Sequence, residues 1–209
     1  NRPLLRRMQL EAPGTYHHSM VVGSLAEAAA EAIGANSLLA RVQAYYHDIG
    51  KLAKPEYYAE NEPASSRSRH EKLTPSMSAL VVKSHISEGL ELAKKERLPR
   101  AVRNAIPEHH GTMVMAFFFH KALESDPSAR REDYSYPGPK PRSKETAILM
   151  LADGVEGASR ALAEPTPSRI RGLVQRIIEE RVRDGQLDEA NITIQELARI
   201  RESFIPVIT

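Results

Sequence analysis

Apolar residues recur at three- and four-residue intervals along nearly the whole chain, and no segment alternates between apolar and polar residues for long. Intervals of three and four place apolar side chains on one face of an α-helix, whereas a half-buried strand alternates with a period of two. A β-sheet is therefore not expected. The 209 residues show no internal repeat and are enough for one buried core, so the sequence predicts a single all-α domain.

Proline, glycine and capping residues divide this pattern into helices. A short first helix is expected to end at Pro13-Gly14, and Thr15 is expected to cap the long helix that follows. The next helix is expected to be closed by Gly50 and Pro55. Helices are predicted over residues 15–34, 38–49, 74–97, 99–107, 112–123, 143–162, 168–183 and 192–207, with surface loops over 59–72 and 125–141.

The chain contains no cysteine but has eight histidines. Disulfides, thiolate zinc sites and cysteine nucleophiles are thereby excluded. A metal would have to be held by imidazole, carboxylate and water, which suit iron, manganese, zinc or magnesium. The net charge of +2, from 29 basic and 27 acidic residues, gives no reason to expect DNA, RNA or an anionic membrane as a partner.

The longest strongly apolar run, Met113–Phe119, is far shorter than the roughly 20 residues that a helix needs to cross a bilayer. No signal peptide is recognisable. Because the chain starts with Asn1 rather than Met, we expect a fragment whose membrane or regulatory parts lie outside it. No membrane contact is expected of the fragment itself.

The adjacent residues His47 and Asp48 stand at the end of an apolar helix, in the run YYHDIGK. A His followed by an Asp is common by chance. One interpretation is a metal site in which the two side chains face a common ion, or two ions share the carboxylate. The other is a His placed favourably at the end of a helix dipole beside a solvated Asp. The pair alone does not decide between them.

Other histidines lie on the apolar faces of predicted helices. His18 lies on one stripe with Val22, and His85 follows Val81 by four residues. Such a His is usually a hydrogen-bonded packing residue. Several inward polar groups on separate helices are nevertheless costly to bury unless they satisfy one another or a cation.

Two further candidates come later in the chain. His109-His110 stand in PEHHGT, where paired imidazoles at a helix edge can bind metal or substrate; two exposed loop histidines are the alternative. Asp153 lies in an otherwise apolar helix, where a buried carboxylate needs a cation as partner. His70, in a solvated basic loop, and His120, in an aromatic-rich helix, are assigned no functional role.

In order, the motifs HHSM, YYHDIGK, KSHI, EHHGT, YPGPKP and LADGVE resemble those of the HD-domain metal-dependent phosphohydrolases. The chain is most similar to one branch, the seven-transmembrane-HD receptor family (PgpH-type), whose HD-domain phosphodiesterases hydrolyse cyclic di-AMP. The resemblance runs from about Thr15 to the C-terminus, and EHHGT together with PGPKPRSKE is specific. No GYP motif follows the HD pair, which argues against the branch specific for cyclic di-GMP.

The resemblance implies an HD-domain helical bundle around a dinuclear metal site, with a lead-in over residues 1–14, metal-site helices over about 15–163 and C-terminal helices over about 166–209. It implies two divalent ions, iron or manganese, and a cytoplasmic domain of an integral membrane protein in second-messenger signalling. By motif position, the first ion would be held by His18, His47 and Asp153, the second by His85, His109 and His110, and Asp48 would bridge them. Gly154 stands where a Ser is commoner in the family.

The implied reaction is hydrolysis of cyclic di-AMP to linear pApA by a hydroxide that bridges the two ions. Asp48, as the bridging ligand, would position that hydroxide. Lys51 and Arg160 are candidate phosphate ligands, and Tyr136 is a candidate wall of the nucleotide pocket. Lys51 could instead be a solvated charge at the helix end.

Two other functions fit parts of the pattern. A mononuclear HD hydrolase of nucleotides or (p)ppGpp needs only His18, His47, Asp48 and Asp153, and would leave three histidines spare. A catalytically silent HD module would sense a nucleotide or dock a partner, although such modules often lose ligands and none is missing here. The residues alone specify neither the native metal, nor the oligomeric state, nor a preference for cyclic di-AMP over cyclic di-GMP.

Overall fold

The computed structural model describes residues 2–62, 67–162, 164 and 166–208. Over these residues the only β structure is an isolated antiparallel bridge between Val114 and Ser135, so the predicted all-α class is confirmed. None of the helices in these ranges is both long and apolar enough to cross a bilayer. The α-helices of the described chain are α1 (Pro3–Glu11), α2 (Pro13–Ile33), α3 (Ser37–Tyr46), α4 (Pro75–Lys95), α5 (Arg100–Arg103), α6 (Ala105–Glu108), α7 (Ala116–Ser125), α8 (Lys144–Ser159), α9 (Pro167–Arg183) and α10 (Ile194–Ile208).

The main core lies between α2, α3, α8, α9 and α10. Helix α8 is its centre, because five consecutive residues from Ile148 to Ala152 are almost completely buried. A helix that is apolar on all sides is typical of the middle of a bundle. Asp153 directly follows this buried run, so the core of the protein holds its backbone in place.

A second core surrounds the HD pair. Helix α3 ends at Tyr46, three residues earlier than the predicted end at Ile49, and His47-Asp48 form a turn before a short 3-10 helix, Ile49–Ala53. Ile49 and Leu52 of this short helix are buried against α1, α5 and α6. The buried side chains of Ile49 and Leu52 thus hold the turn that carries His47 and Asp48 in place.

Gly50, predicted to close α3, lies beyond its end, within the short 3-10 helix, and makes a close backbone contact there. A Cβ at this position would lie 1.9 Å from the carbonyl oxygen of His85 and 2.5 Å from the amide nitrogen of Gly89, both in α4. No side chain fits there unless α4 moves. The turn after α3 and helix α4 therefore meet backbone to backbone, which brings Asp48 close to His85.

The predicted capping role of Thr15 is wrong. Helix α2 begins at Pro13, with Ala12 as its N-cap residue, because proline is well suited to the first turn of a helix. The Thr15 side chain is buried instead, and its hydroxyl donates a hydrogen bond of 3.0 Å to Oε1 of Glu60. This contact ties the start of α2 to the polar segment that follows the HD pair.

The predicted loops contain short turns of 3-10 helix. The helix expected from Thr112 begins only at Ala116, because the residues before it run extended through the bridge at Val114. Residues 63–66, in the middle of the first predicted loop, and residue 163, the expected end of the metal-site helices, lie outside the described residues. The turns within the two loops are Ala59–Asn61, Arg69–Lys72 and Arg131–Tyr134.

Gly50→Ala is expected to lower the free energy of unfolding by about 1–3 kcal/mol, because the added methyl group must separate two packed backbones. Gly157→Ala in α8 is the matched control: nothing lies within 4 Å of a Cβ there. Alanine at that helical position should raise stability by up to about 1 kcal/mol. Urea unfolding followed by circular dichroism measures both variants, and equal stabilities would contradict the close contact.

Candidate metal centre

The structure brings all seven predicted metal ligands together at one place inside the bundle. Most are fully buried, and the two most exposed, His110 and Asp153, each expose 16% of the side chain. They come from separate segments: His18 from α2, His47 and Asp48 from the turn after α3, His85 from α4, His109 and His110 from the end of α6, and Asp153 from α8.

His18, His47 and Asp153 form what we call the first half-site. One ligand atom from each lies within 4.8 Å of the other two. Nε2 of His18 lies 3.0 Å, and Nε2 of His47 3.8 Å, from Oδ1 of Asp153. Neither nitrogen has a hydrogen-bond partner among the described residues. Two buried imidazole nitrogens and one carboxylate oxygen thus surround a common position.

His85, His109 and His110 form the second half-site, whose ligand atoms again lie within 4.8 Å of one another. Nε2 of His85 is 3.4 Å from Nε2 of His109. Burial, reinforced by the charge of His47, lowers the pKa of His109 to about 3, and burial with the neighbouring His109 lowers the pKa of His110 well below its usual value. These rings are therefore neutral, and their nitrogen lone pairs are available to a cation.

Asp48 lies between the half-sites and faces both. Oδ2 is 3.1 Å from Nε2 of His47 and 3.6 Å from Nε2 of His18, whereas Oδ1 is 3.7 Å from Nε2 of both His85 and His109. Burial alone would raise the pKa of Asp48, but His47 and Lys51 outweigh it and hold the pKa well below its usual range. The ionised carboxylate is placed as a ligand shared by two ions would be.

Hydrogen bonds to the backbone orient three of the imidazoles. In each, the Nδ1–H donates to the carbonyl oxygen three residues earlier, which leaves Nε2 as the nitrogen that can bind an ion. Nε2 is the atom that faces the other ligands. The bonds are His47 to Ala44 at 2.6 Å, His85 to Val82 at 2.6 Å and His109 to Ile106 at 2.7 Å.

His18 is oriented by a carboxylate instead. Its Nδ1–H donates to Oε2 of Glu156, a residue to which the sequence analysis assigned no role. The spacing of three residues between Asp153 and Glu156, one helical turn, was the available signal. Arg160, predicted as a phosphate ligand, lies 3.1 Å from the same Glu156 oxygen, and 45% of its side chain is exposed. Arg160 thus contacts the carboxylate that orients His18, on the side of His18 away from the other candidate ligands.

Lys51 lies inside the site rather than in solvent. Its Nζ is 2.8 Å from Oδ2 of Asp48 and 2.8 Å from Oε1 of Glu60, and 13% of its side chain is exposed. Burial alone would lower the pKa of Lys51, but Asp48 and Glu60 outweigh it and raise the pKa above its usual value. No sequence signal pointed to Glu60, which stands in a polar stretch. Lys51 therefore neutralises and positions Asp48.

Tyr136 stacks on a predicted ligand at the open side of the site. Its ring lies 4.2 Å from that of His110, centroid to centroid, at an interplanar angle of 26°. Both residues and Asp153 line a cleft of about 440 Å³, which also includes Met113. A cleft of this size suits a small ligand. That Tyr136 forms a wall of a nucleotide pocket stays a prediction.

The remaining histidines lie apart from the centre. His17 and His120 are exposed. His70 is partly buried, and its Nε2 lies 2.8 Å from the carbonyl oxygen of Tyr57. The His70 ring also packs near Phe118, so His70 joins the segment of Tyr57 to α7.

The donor set fits divalent metal ions. Four buried atoms at the centre have no hydrogen-bond partner among the described residues: Nε2 of His18, Nε2 of His47, Oδ1 of Asp48 and Nδ1 of His110. Burying such atoms is costly unless a cation binds them.

The pKa of His47 bears on metal binding. Burial acts to lower this pKa, but Asp48 outweighs burial and raises the pKa to about 10. An ion bound there must displace that proton, so metal affinity should increase with pH.

Comparison with known families shows that the HD domain family matches residues 15–158. The chain is 45% identical to the cyclic-di-AMP phosphodiesterase PgpH of Listeria monocytogenes over 208 residues, which are 100% of this chain and 29% of that protein. It is also 45% identical to the cyclic-di-AMP phosphodiesterase PgpH of Bacillus subtilis, over 98% of this chain and 29% of that protein. The chain thus spans less than a third of the length of these relatives.

A solved structure shares the fold. The crystal structure of the HD domain of the Listeria monocytogenes phosphodiesterase PgpH, in complex with cyclic di-AMP, superposes with a TM-score of 0.95 at 45% sequence identity. The match covers 99% of this chain and 96% of that chain. The helical bundle described above is therefore the fold of this HD domain.

We expect the purified protein to hold about two divalent ions per chain. His85→Ala removes a ligand of the second half-site only, so the content should fall to about one ion. Elemental analysis of metal-loaded protein measures the ratio, and His120→Ala, at an exposed position, is the control. A ratio near one in the unaltered protein would contradict the dinuclear site and favour the mononuclear alternative.

Glu156→Gln is expected to weaken metal binding by about 10- to 100-fold, because the amide no longer fixes the tautomer and orientation of His18 by charge. Titration with Mn²⁺ followed by calorimetry measures the affinity. Glu124→Gln, at an exposed position of α7, is the matched control. Unchanged affinity in Glu156→Gln would show that His18 does not need this partner.

Proposed function

The chain belongs to the HD-domain family, and we propose that it is a metal-dependent phosphodiesterase that hydrolyses cyclic di-AMP to linear pApA. One observation above all supports the proposal: two three-residue half-sites adjoin, with the Asp48 carboxylate facing both. Two adjoining ions are suited to hydrolysis of phosphate esters. The substrate is proposed from the two PgpH relatives and from the ligand of the related crystal structure.

Each half of the proposed centre has its own ligands. His18, His47 and Asp153 would hold one ion, His85, His109 and His110 the other, and Asp48 would contact both. We propose iron or manganese, since imidazole and carboxylate oxygen suit both, while availability and geometry decide between them. When bound, the two ions would activate a water molecule as nucleophile and withdraw charge from the phosphate.

The residues of the chain would prepare the site for this chemistry. The Nδ1–H donors hold the imidazoles in one tautomer, so no ligand has to reorient when substrate binds. Lys51 holds one oxygen of Asp48 in place and offsets its charge. The depth of the site limits bulk water, and electrostatic interactions are stronger in such surroundings. In the hydrolysis, the oxygen of water bonds to phosphorus and the 3′ oxygen leaves.

Substrate would enter by the cleft beside Tyr136, which opens at the second half-site. The stacked rings of Tyr136 and His110 offer a flat wall for a base or ribose. Arg160 and Lys51 were the phosphate candidates from the sequence, and both are engaged by carboxylates. The expectations of a cytoplasmic location and a membrane-anchored parent stay predictions.

A mononuclear hydrolase is the weaker alternative. It would leave His85, His109 and His110 without a role, yet two of these rings face Oδ1 of Asp48 and all three converge within 4.8 Å. Burying three neighbouring imidazoles, two of them beside an unpaired carboxylate oxygen, is costly without a cation. A silent sensing module would have no need to preserve the full ligand set.

The double variant His47→Ala with Asp48→Ala is expected to lose bound metal and hydrolysis of cyclic di-AMP while its helical circular dichroism persists. Both half-sites lose a ligand at once, whereas the apolar anchor of the turn, Ile49 and Leu52, is unchanged. Product chromatography on cyclic di-AMP and cyclic di-GMP measures activity and preference. Hydrolysis by the double variant at the unaltered rate would disprove the site, and an unaltered protein that turns over only cyclic di-GMP would disprove the substrate.

A further inference from the structure

Arg181, on the last turn of α9, lies against the metal centre. It lines the cleft together with Asp153 and Tyr136. A Cβ at position 154 would lie 3.6 Å from Nη2 of Arg181, so the guanidinium lies beside the backbone of the residue that follows Asp153. Its side chain is 20% exposed. A mostly buried guanidinium thus borders the cleft beside the candidate metal centre.

The charge of Arg181 is poorly compensated within the described chain. Its Nε is buried and has no hydrogen-bond partner there. Nη1 lies 3.9 Å from a carboxylate oxygen of Glu180, whose side chain is 60% exposed. Asp184, the other acidic residue at this end of the cleft, is engaged by Nη2 of Arg131 at 3.2 Å and by Nε2 of Gln186 at 2.8 Å. Arg181 therefore keeps donor capacity for a ligand.

The end of α9 is fixed to the metal centre by a buried amide. Oε1 of Gln186 accepts a hydrogen bond of 2.9 Å from the backbone nitrogen of Thr112, two residues after His110. Gly111 permits the contact, since it has a φ of +52° and a Cβ there would lie 2.3 Å from that oxygen. The contact joins the segment just after α9, five residues beyond Arg181, to the turn after His110.

We infer that Arg181 binds the phosphate of the cyclic dinucleotide that is not being hydrolysed. The inference rests on the proposed function. A cyclic dinucleotide carries two phosphates on one ring, and when the ions take one, the other must lie elsewhere in the cleft. The planar donor fork of a guanidinium matches two phosphate oxygens, and such charge-assisted hydrogen bonds are strong.

The test compares two substrates. Arg181→Gln is expected to raise the KM for cyclic di-AMP by about 10- to 100-fold, the range that loss of a charged hydrogen bond gives. Hydrolysis of bis(p-nitrophenyl) phosphate, a diester with a single phosphate, should be unchanged, as should metal content. Arg181→Lys keeps the charge and should recover part of the loss. Arg183→Gln, at an exposed position on the same helix, is the matched control.

Each result decides the question. Equal losses on both substrates, or no change in the KM for cyclic di-AMP, would overturn the inference while leaving the proposed function intact. If the unaltered protein hydrolyses bis(p-nitrophenyl) phosphate but not cyclic di-AMP, the proposed function fails and this inference fails with it.

Discussion

A buried carboxylate, Asp48, is the constraint on which the rest of the structure depends. Four imidazoles and one ammonium group surround it, and 1% of the residue is exposed. A charge removed from water must be compensated by its neighbours. Lys51 and His47 do so for one oxygen, whereas the other has no hydrogen-bond partner in the described chain. The segments that carry these imidazoles converge on this point, and the oxygen without a partner is placed to accept a cation.

Glycines make this convergence possible. At Gly50 the turn with the HD pair meets the backbone of α4, and at Gly111 the turn after the paired histidines receives the amide of Gln186. Gly14 allows a third close contact, between α2 and the backbone of Glu60. A Cβ at Gly14 would lie 1.8 Å from the carbonyl oxygen of Glu60, whose carboxylate contacts Lys51. Each missing side chain removes a steric barrier between segments far apart in sequence. The positions of the candidate ligands therefore depend on how closely these backbones pack.

The centre has a supporting side and an open side. On the supporting side, Glu156 and backbone carbonyls hold the imidazoles, and Glu60 holds Lys51. On the open side, His110, Tyr136 and Arg181 border the cleft. The division has a chemical reason, since metal ligands need fixed tautomers and compensated charge, while a substrate site needs donors that are still available. Substrate recognition is accordingly expected on the side of α9.

The sequence by itself determined the all-α class, through its helical periodicity, and the seven candidate ligands, through buried polar residues on apolar faces and a family resemblance. These features can be recognised within one segment, because a polar side chain on an apolar helix face is costly to bury whichever segment it packs against. Only the tertiary structure decided that Lys51 and Arg160 contact carboxylates and that Arg181 borders the cleft. A charged side chain on a helix has the same sequence signature whether it faces solvent, a carboxylate or a cleft. Its neighbours come from distant segments whose approach depends on packing, so periodicity cannot reveal them.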